Sequence, residues 1–185
     1  TFRLEDGKPD FAYELEEAIH DKYLVGFSVL DKTTDKMRRG IRYDDLSEEE
    51  KASWEDGFAE AEEEEIDFTG AEIEPRFVGK NVINLGTVDA MLGDLMQNGL
   101  KIDGGDMIGK TIIFAPSHIA AVKIVERFQK IYPQLGMEFC KLIDSHIVNN
   151  LSLIDNFGER DQLPQVAVSV DMMDTGIDVP EVLNL

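Results

Sequence analysis

The last hundred residues of the chain alternate between short apolar runs and longer amphipathic stretches. Residues 111–115, 139–143 and 165–170 are apolar runs of the length that a buried parallel strand needs. Between them, residues 117–131 and 148–157 place apolar side chains at helical spacing. Strand and helix therefore alternate over short connections. This order predicts right-handed crossovers and a parallel sheet covered by helices on both faces.

The first part of the chain mixes short helical and strand-like segments. Residues 11–20 have helical spacing after Asp10 as an N-cap, and residues 23–30 have the composition of a strand. The sequence Ser47-Glu-Glu-Glu50 has the form of a capping box at the start of a further helix. These segments predict a small α+β unit.

A linker is predicted over residues 70–80, which contain both Pro and Gly. It is followed by a helical pattern over residues 82–99, with Gly99 as the C′ glycine that ends the helix. We therefore expect two parts: a mixed α+β appendage over residues 1–75 and an α/β domain over residues 76–185.

Charge is distributed unevenly between these two parts. The net charge is −20, and residues 1–75 hold 24 acidic and 9 basic residues, whereas residues 76–185 hold 14 acidic and 9 basic ones. Global attraction to nucleic acid is therefore not expected, and any phosphate contact has to be made locally by the C-terminal part. The run of four glutamates at residues 62–65 is typical of a solvated face.

Cysteine and histidine usage excludes several kinds of site. The single cysteine, Cys140, excludes an internal disulfide and a thiolate cluster, and the three histidines are scattered, so no metal site is expected. No apolar run reaches the roughly 18 residues of a membrane helix. We expect a cytoplasmic protein.

Both ends look like cuts in a longer polypeptide, because the chain lacks a starting Met and stops inside an apolar run that resembles the start of another strand.

One motif matches a phosphate loop in its residue pattern but not in the secondary structure predicted on either side of it. Residues 104–111, ending in Gly109-Lys110-Thr111, fit the pattern Gly-x-x-x-x-Gly-Lys-Thr. A phosphate loop needs a strand before the glycines and a helix after the Lys-Thr pair, so that backbone amides surround the phosphate. Here a predicted helix comes before and a predicted strand follows. Lys110 is therefore expected at the amino edge of the sheet, away from ligands.

The segment after the third strand carries the most polar turn of the domain. It leaves the apolar pattern at Asp171 and continues through Asp174-Thr175-Gly176 to Asp178 and Pro180. Ligands bind at the carboxyl ends of strands in open α/β sheets, which favours a functional interpretation. An ordinary strand exit, with Gly176 supplying a positive φ and Asp178 capping, explains the same residues. The spacing alone does not separate the two.

Two stretches resemble motifs of superfamily 2 helicases. The sequence Lys110-Thr-Ile-Ile-Phe-Ala115 resembles motif IV, and Leu163-Pro-Gln-Val-Ala-Val-Ser-Val-Asp-Met-Met-Asp-Thr-Gly-Ile-Asp-Val-Pro-Glu181 resembles motif V. The amino-acid sequence of the second stretch is similar to that of the R (restriction) subunit of type I restriction-modification enzymes. The resemblance extends through residues 76–185. Phe11-Ala-Tyr-Glu-Leu-Glu-Glu-Ala18 and Tyr23-Leu-Val25 are similar to the insert between the two motor domains of those subunits.

The resemblance implies a large ATP-driven DNA translocase joined to an endonuclease. Its motor has two RecA-like domains, with ATP and Mg²⁺ in the cleft between them, and this chain resembles only part of the second domain. The implied partners are double-stranded DNA, the modification and specificity subunits and the first RecA-like domain of the same polypeptide, with no membrane. The segment has no catalytic residues of its own, and we expect it to bind no cofactor and to be inactive alone.

The resemblance also assigns roles to individual residues. DNA phosphate would be contacted by the hydroxyl of Thr175 and the backbone of Gly176, and Asp178 would face the nucleotide cleft. Ser117 and His118 lie at the first turn of the motif IV helix, where amides and the helix dipole favour phosphate. For Ser117 a plain N-cap is an equal alternative. Ser145, in the sequence Asp144-Ser145-His146, is a further candidate DNA contact.

Two other interpretations remain open at this stage. One is the second motor domain of a different superfamily 2 DNA helicase, which would lack the nuclease domain upstream. The other is a non-catalytic acidic interaction module whose sheet merely resembles a motor domain; it predicts natural termini. The nuclease and first-domain residues lie outside the chain, and the DNA target belongs to another subunit in the family resembled.

Overall fold

A computed structural model describes residues 14–31, 38–52, 72–73, 84–144, 150–170, 172–173 and 179–185. Within these ranges the α-helices are α1 Leu15–His20, α2 Leu85–Asn98, α3 His118–Ile131 and α4 Asn150–Gly158. The strands are β1 Ile41–Arg42, β2 Glu72–Ile73, β3 Lys101–Ile102, β4 Met107–Ile108, β5 Lys110–Phe114, β6 Cys140–Ile143, β7 Val166–Ser169 and β8 Val182–Asn184. Residues 48–52 are also helical.

The predicted α/β class is confirmed by a four-stranded parallel sheet. Its strand order is β6-β7-β5-β8, and each neighbouring pair runs parallel. The three apolar runs predicted as strands correspond to β5, β6 and β7, and the apolar run at the end of the sequence forms β8. Every residue of β7 is buried, because the strand has a neighbour on each side and packed side chains above and below it.

Helices cover both faces of this sheet, as predicted. The connection through α3 moves from β5 past β7 to β6, and the connection through α4 moves back from β6 to β7. Right-handed crossovers that move in opposite directions place their helices on opposite faces. The alternating side chains of β7 agree: Val166 and Val168 join the core with Phe128 of α3, whereas Ala167 joins a second core with Phe157 of α4.

Local signals fix the ends of the two longest helices. Ser117 is the N-cap of α3, as predicted, and its Oγ accepts a hydrogen bond from the backbone N–H of Ala120 at 3.3 Å. The predicted stop at Pro133 and Gly136 is also observed, with α3 ending at Ile131. Asn84 caps α2, accepting from the backbone N–H of Thr87 at 2.8 Å.

Gly99 follows α2 as predicted, but for a different reason. Its φ is −62°, so it does not adopt the left-handed conformation expected of a C′ glycine. A Cβ atom at this position would lie 2.6 Å from Ile108 Cδ1 and 2.6 Å from the carbonyl oxygen of Leu95. Glycine is needed here because the carbonyl oxygen of Leu95 belongs to the helix backbone and cannot move aside for a Cβ atom, while the end of the Ile108 side chain occupies the space next to it.

One prediction for the N-terminal part is wrong. Residues 23–30 were expected to form a strand, but residues 23–31 form none, and their apolar side chains are exposed, Val25 by 90%. A strand needs a neighbour for its backbone hydrogen bonds, and no described strand pairs with these residues.

Of the predicted linker at residues 70–80, the structure describes residues 72–73, which form β2 and pair antiparallel with β1. The linker as a whole stays a prediction.

The chain divides into two compact units, Thr1–Thr33 and Thr34–Leu185. In the first unit the described helix is α1, which is shorter than the predicted helix over residues 11–20; the proposed N-cap Asp10 lies outside the described residues. The second unit contains the sheet together with residues 38–52. A functional boundary between residues 75 and 76 stays a prediction.

The capping box at Ser47 is confirmed and also attaches its helix to the sheet domain. Glu50 Oε2 accepts from the backbone N–H and the hydroxyl of Ser47, each at 2.9 Å. The other carboxylate oxygen, Oε1, accepts from the Asn84 amide at 2.6 Å and from the backbone N–H of Leu85 at 3.1 Å. One buried carboxylate thus serves the starts of two helices, and the positive end of α2 favours its negative charge.

We expect Glu50→Ala to lower the free energy of unfolding by about 2 kcal/mol, because it leaves buried donors at two helix starts without an acceptor. Glu48→Ala is the matched control, because the Glu48 side chain is 92% exposed and pairs with Lys51 on the surface of the same helix. Its loss should stay below about 0.5 kcal/mol. Urea unfolding measures both variants, and equal losses would contradict the role of Glu50.

Cys140 is the small core residue that the sequence predicts. It is fully buried at the start of β6, and burial raises the pKa of its thiol to about 12. Because the thiolate is the reactive form, the folded protein suppresses both the nucleophile and the access to it.

We expect no reaction of Cys140 with a thiol reagent at about pH 8 while the protein is folded, and one equivalent of reaction after unfolding in guanidinium. Since the thiol ionises more readily in the unfolded chain, its contribution to stability is present below the unfolded pKa of 9.0 and is lost as the pH rises towards about 12. Cys140→Ala is the control that should abolish labelling. Rapid labelling of the folded chain would contradict the burial.

Candidate functional site

The carboxyl ends of three strands reach the same level of the sheet. Phe114 of β5, Ser169 of β7 and Ile143 of β6 are register partners, so the chain leaves all three strands side by side. The backbone N–H of Ala115 donates to the carbonyl oxygen of Ser169 at 2.8 Å and extends the pairing one residue beyond β5. This edge is where an open α/β sheet binds ligands.

One predicted candidate, His118, meets a residue that the sequence interpretation did not single out, Asp144, through a side-chain pair at this edge. His118, the first residue of α3, makes a hydrogen bond through Nδ1 to Oδ2 of Asp144, which directly follows β6. The Asp144 side chain is 2% exposed, whereas the His118 side chain is 42% exposed. The pair therefore joins a buried carboxylate to a ring that solvent and ligands can reach.

Burial of Asp144 is tolerable only because its charge is compensated. A buried carboxylate without partners costs several kcal/mol, so it needs hydrogen-bond donors and a positive potential. His118 supplies a donor, and the first turn of α3 adds the positive end of the helix dipole. Both residues make further interactions within the protein. The arrangement fixes the histidine ring at the carboxyl edge of the sheet.

Ser117 lies beside this pair, but its side chain already has a structural task. Its Oγ caps α3 by accepting from the backbone N–H of Ala120. The plain N-cap interpretation of Ser117 is thus confirmed. A contact from the same hydroxyl to DNA phosphate stays a prediction.

Four of the predicted site residues lie outside the described residues, namely Ser145, Thr175, Gly176 and Asp178. The structure describes residues on both sides of the segment that contains the last three of them. Met173 belongs to the core on the α4 face, and Val179 packs against that same core. Residues 174–178 are therefore flanked in sequence by two apolar side chains that pack in one core.

Ser169 is a residue that the sequence interpretation missed. It is fully buried at the last position of β7, and its Oγ has no hydrogen-bond partner within the described ranges. Its side chain shares the α4 face with Ala167, by the alternation of the strand. The sequence contained one signal for this residue, because Ser169 is a hydroxyl side chain within an apolar run that predicts a buried strand.

The phosphate-loop pattern is confirmed to lack phosphate-loop geometry. Residues 101–108 form the β3–β4 hairpin, and Lys110 begins β5 at the amino edge. The Lys110 side chain is buried, and its Nζ donates to the carbonyl oxygens of Gln162 and Pro164, the latter at 2.9 Å. Nζ also lies 5.2 Å from the centre of the Phe157 ring. Burial lowers the pKa of Lys110, although Glu181 and Asp161 oppose this effect.

Two further features are absent from the described part of the chain, a metal cluster and a membrane-spanning helix. No group of three or more His, Cys, Asp or Glu side chains there is arranged to hold a metal ion. None of the helices in that part is both long and apolar enough to cross a membrane.

Comparisons with models of protein families, with curated proteins and with solved structures found no match to this chain. Any functional interpretation therefore depends on its own residues and their geometry.

We expect Lys110→Met to destabilise the fold by about 1–2 kcal/mol, because it leaves the buried carbonyl oxygen of Pro164 without its donor. In the full-length protein the same change should leave ATP affinity unaltered, since Lys110 lies at the amino edge of the sheet and not at the edge where ligands bind. Lys101→Met, at an exposed position of β3, is the control and should change stability by less than about 0.5 kcal/mol. Thermal unfolding and nucleotide titration provide the two measurements, and a large loss of ATP affinity would contradict the assignment.

Proposed function

We propose that this chain is part of the second RecA-like motor domain of a DNA translocase, in the restriction subunit of a type I restriction-modification enzyme. One observation carries the proposal most directly. The strands that precede the motif IV-like and motif V-like segments are β5 and β7, which are neighbours in register from Thr111↔Val166 to Phe114↔Ser169. Segments that resemble two helicase motifs therefore leave the sheet next to each other, as a motor site needs.

The chemistry available at this edge suits contact with a DNA backbone. A motor that moves along DNA needs contacts that are independent of sequence, and phosphate contacts provide them. The chain has a net charge of −20, so the contacts have to come from local donors and not from a broad basic surface. His118, Ser117 and the polar segment with Ser145 and Thr175 supply such donors.

The proposal divides the motif V turn between two ligands. Thr175 and Gly176 would donate from a hydroxyl and a backbone amide to a DNA phosphate. Asp178, three residues from Thr175, would face the nucleotide cleft, where it can accept from a ribose hydroxyl or pair with an arginine. If Asp178 moved when the nucleotide was hydrolysed or released, the contacts of Thr175 and Gly176 with the DNA phosphate would change as well.

The rest of the machinery would come from the full-length polypeptide and its partners. ATP and Mg²⁺ would be held mainly by the first RecA-like domain, and DNA cleavage would belong to a separate nuclease domain. The modification and specificity subunits would select the DNA site. In this proposal the segment contributes contacts and no catalytic residue, so it should neither hydrolyse ATP nor cleave DNA alone.

We expect Thr175→Ala in the full-length subunit to lower DNA-stimulated ATPase activity about tenfold, because it removes a hydrogen bond to a charged phosphate. Thr175→Ser, which keeps the hydroxyl, is the matched variant and should retain most of the stimulation. Basal ATPase activity and the thermal unfolding midpoint should be the same in all three proteins.

Unchanged stimulation in Thr175→Ala would remove Thr175 from the DNA site. An equal fall in basal and stimulated rates would point instead to the nucleotide cleft. A full-length chain with no motor domain before this segment would reject the proposed function as a whole.

A further inference from the structure

A cavity lies at the amino edge of the sheet, the edge opposite to the candidate DNA site. It is formed between the β3–β4 hairpin and the connection from α4 to β7, and its volume is about 190 Å³. Its walls include the apolar side chains of Ile102, Met107 and Leu163. Sites for drug-sized ligands usually have volumes of about 300–1,000 Å³. This cavity therefore takes a small molecule or the end of a single side chain.

Two buried polar side chains hold the walls of the cavity in place. On the hairpin side, Nε2 of Gln165 donates to the carbonyl oxygen of Ile108 at 2.7 Å. On the other side, Nζ of Lys110 donates to the carbonyl oxygens of Gln162 and Pro164, the latter at 2.9 Å. Lys110 and Gln165 are each 2% exposed. The cavity is therefore a preformed feature of the fold, as ligand sites usually are.

The polar groups of the cavity that have no partner are mainly hydrogen-bond acceptors. Oε1 of Gln165 accepts no hydrogen bond from any described group, although the side chain is almost fully buried. A buried amide oxygen without a donor is costly, so its donor has to be water or a ligand in the cavity. The carboxylates of Asp103 and Asp161 line the same cavity and likewise accept no hydrogen bond from the described residues.

The charges around the cavity favour a cation. Its lining contains two carboxylates, Asp103 and Asp161, and one guanidinium, that of Arg160, which leaves a balance of one negative charge. The ammonium of Lys110 interacts electrostatically with Asp161, but it interacts with Glu181 as well, so it does not cancel this balance. An alkylammonium group has three N–H donors for the three acceptor groups, and its stem can lie along the apolar walls.

We propose that this cavity binds a primary alkylammonium group, which is either the side chain of a lysine in a partner protein or the end of a free polyamine. The ammonium donates to Oε1 of Gln165 and to the carboxylates of Asp103 and Asp161, while the methylene groups pack on the apolar walls. The inference does not depend on the motor function proposed above, because the cavity contains none of the residues assigned to DNA or nucleotide.

The first test uses n-butylammonium as the probe and 1-butanol, which has the same stem without the charge, as its control. Titration of the isotopically labelled chain at low salt, followed by NMR, should give saturable shifts in the β3–β4 hairpin, in residues 160–165 and in the side-chain amide of Gln165. 1-Butanol should give no saturable shifts. Absence of saturable shifts with n-butylammonium, or equal shifts with 1-butanol, overturns the proposal.

The second test changes the charges of the cavity one at a time. Asp103→Asn and Asp161→Asn keep the side-chain shape, and asparagine tolerates the left-handed backbone at position 103, where φ is 53°. Each should weaken binding of n-butylammonium about fivefold, whereas Arg160→Gln should strengthen it about threefold because it removes a cation from the lining. Asp106→Asn is the matched control, since Asp106 is an exposed residue of the same hairpin that does not line the cavity.

Two results of the second test would overturn the proposal. An equal loss in Asp106→Asn would show that the probe responds only to the overall charge of the chain. Weaker binding in Arg160→Gln would show that the cavity prefers an anionic group.

The two sources of the ammonium are separated by comparing Nα-acetyl-lysine methylamide with spermidine under the same conditions. Tighter binding of the lysine derivative identifies a lysine side chain, and tighter binding of spermidine identifies a polyamine. Equal affinities show that the ammonium group alone is recognised. If neither compound binds, the proposal is overturned.

Discussion

The parallel pairing of β5 with β7 is the interaction on which the rest of the domain depends. β7 is buried on both faces and paired on both sides, so its backbone groups are satisfied and its side chains fill two separate cores. Because β7 lies between β5 and β6, the crossovers through α3 and α4 move in opposite directions and cover opposite faces. This pairing aligns the ends of β5 and β7, and the pairing of β6 with β7 adds the third strand end of the candidate site.

Buried charges mark both edges of this sheet. At the amino edge, the ammonium of Lys110 donates to two backbone carbonyl oxygens beneath the Phe157 ring. At the carboxyl edge, Asp144 accepts from His118. Each charge is tolerated because specific partners replace water. The difference lies in the partners: backbone carbonyl oxygens surround the ammonium of Lys110, whereas the carboxylate of Asp144 is paired with a half-exposed imidazole.

The helical segment that contains Glu50 is attached to the sheet domain by a single buried carboxylate. The Glu50 carboxylate accepts hydrogen bonds from Ser47 in its own capping box. It also accepts from Asn84 and Leu85 at the start of α2, which are more than 30 residues away in sequence. Charge in this region is therefore not only a solvated face. By contrast, the apolar side chains of residues 23–30 remain exposed, because no strand among the described residues pairs with this segment.

The sequence by itself determined the elements of the C-terminal half, since hydrophobic periodicity, the Ser117 cap and the Pro133–Gly136 stop are local properties. It also excluded a phosphate loop at Lys110, because the order of helix and strand around a motif is local too. Only the tertiary structure decided that β7 lies between β5 and β6, that Asp144 meets His118, and that Glu50 reaches α2. These contacts join residues far apart in sequence, and no short pattern encodes which partner a buried polar group will find.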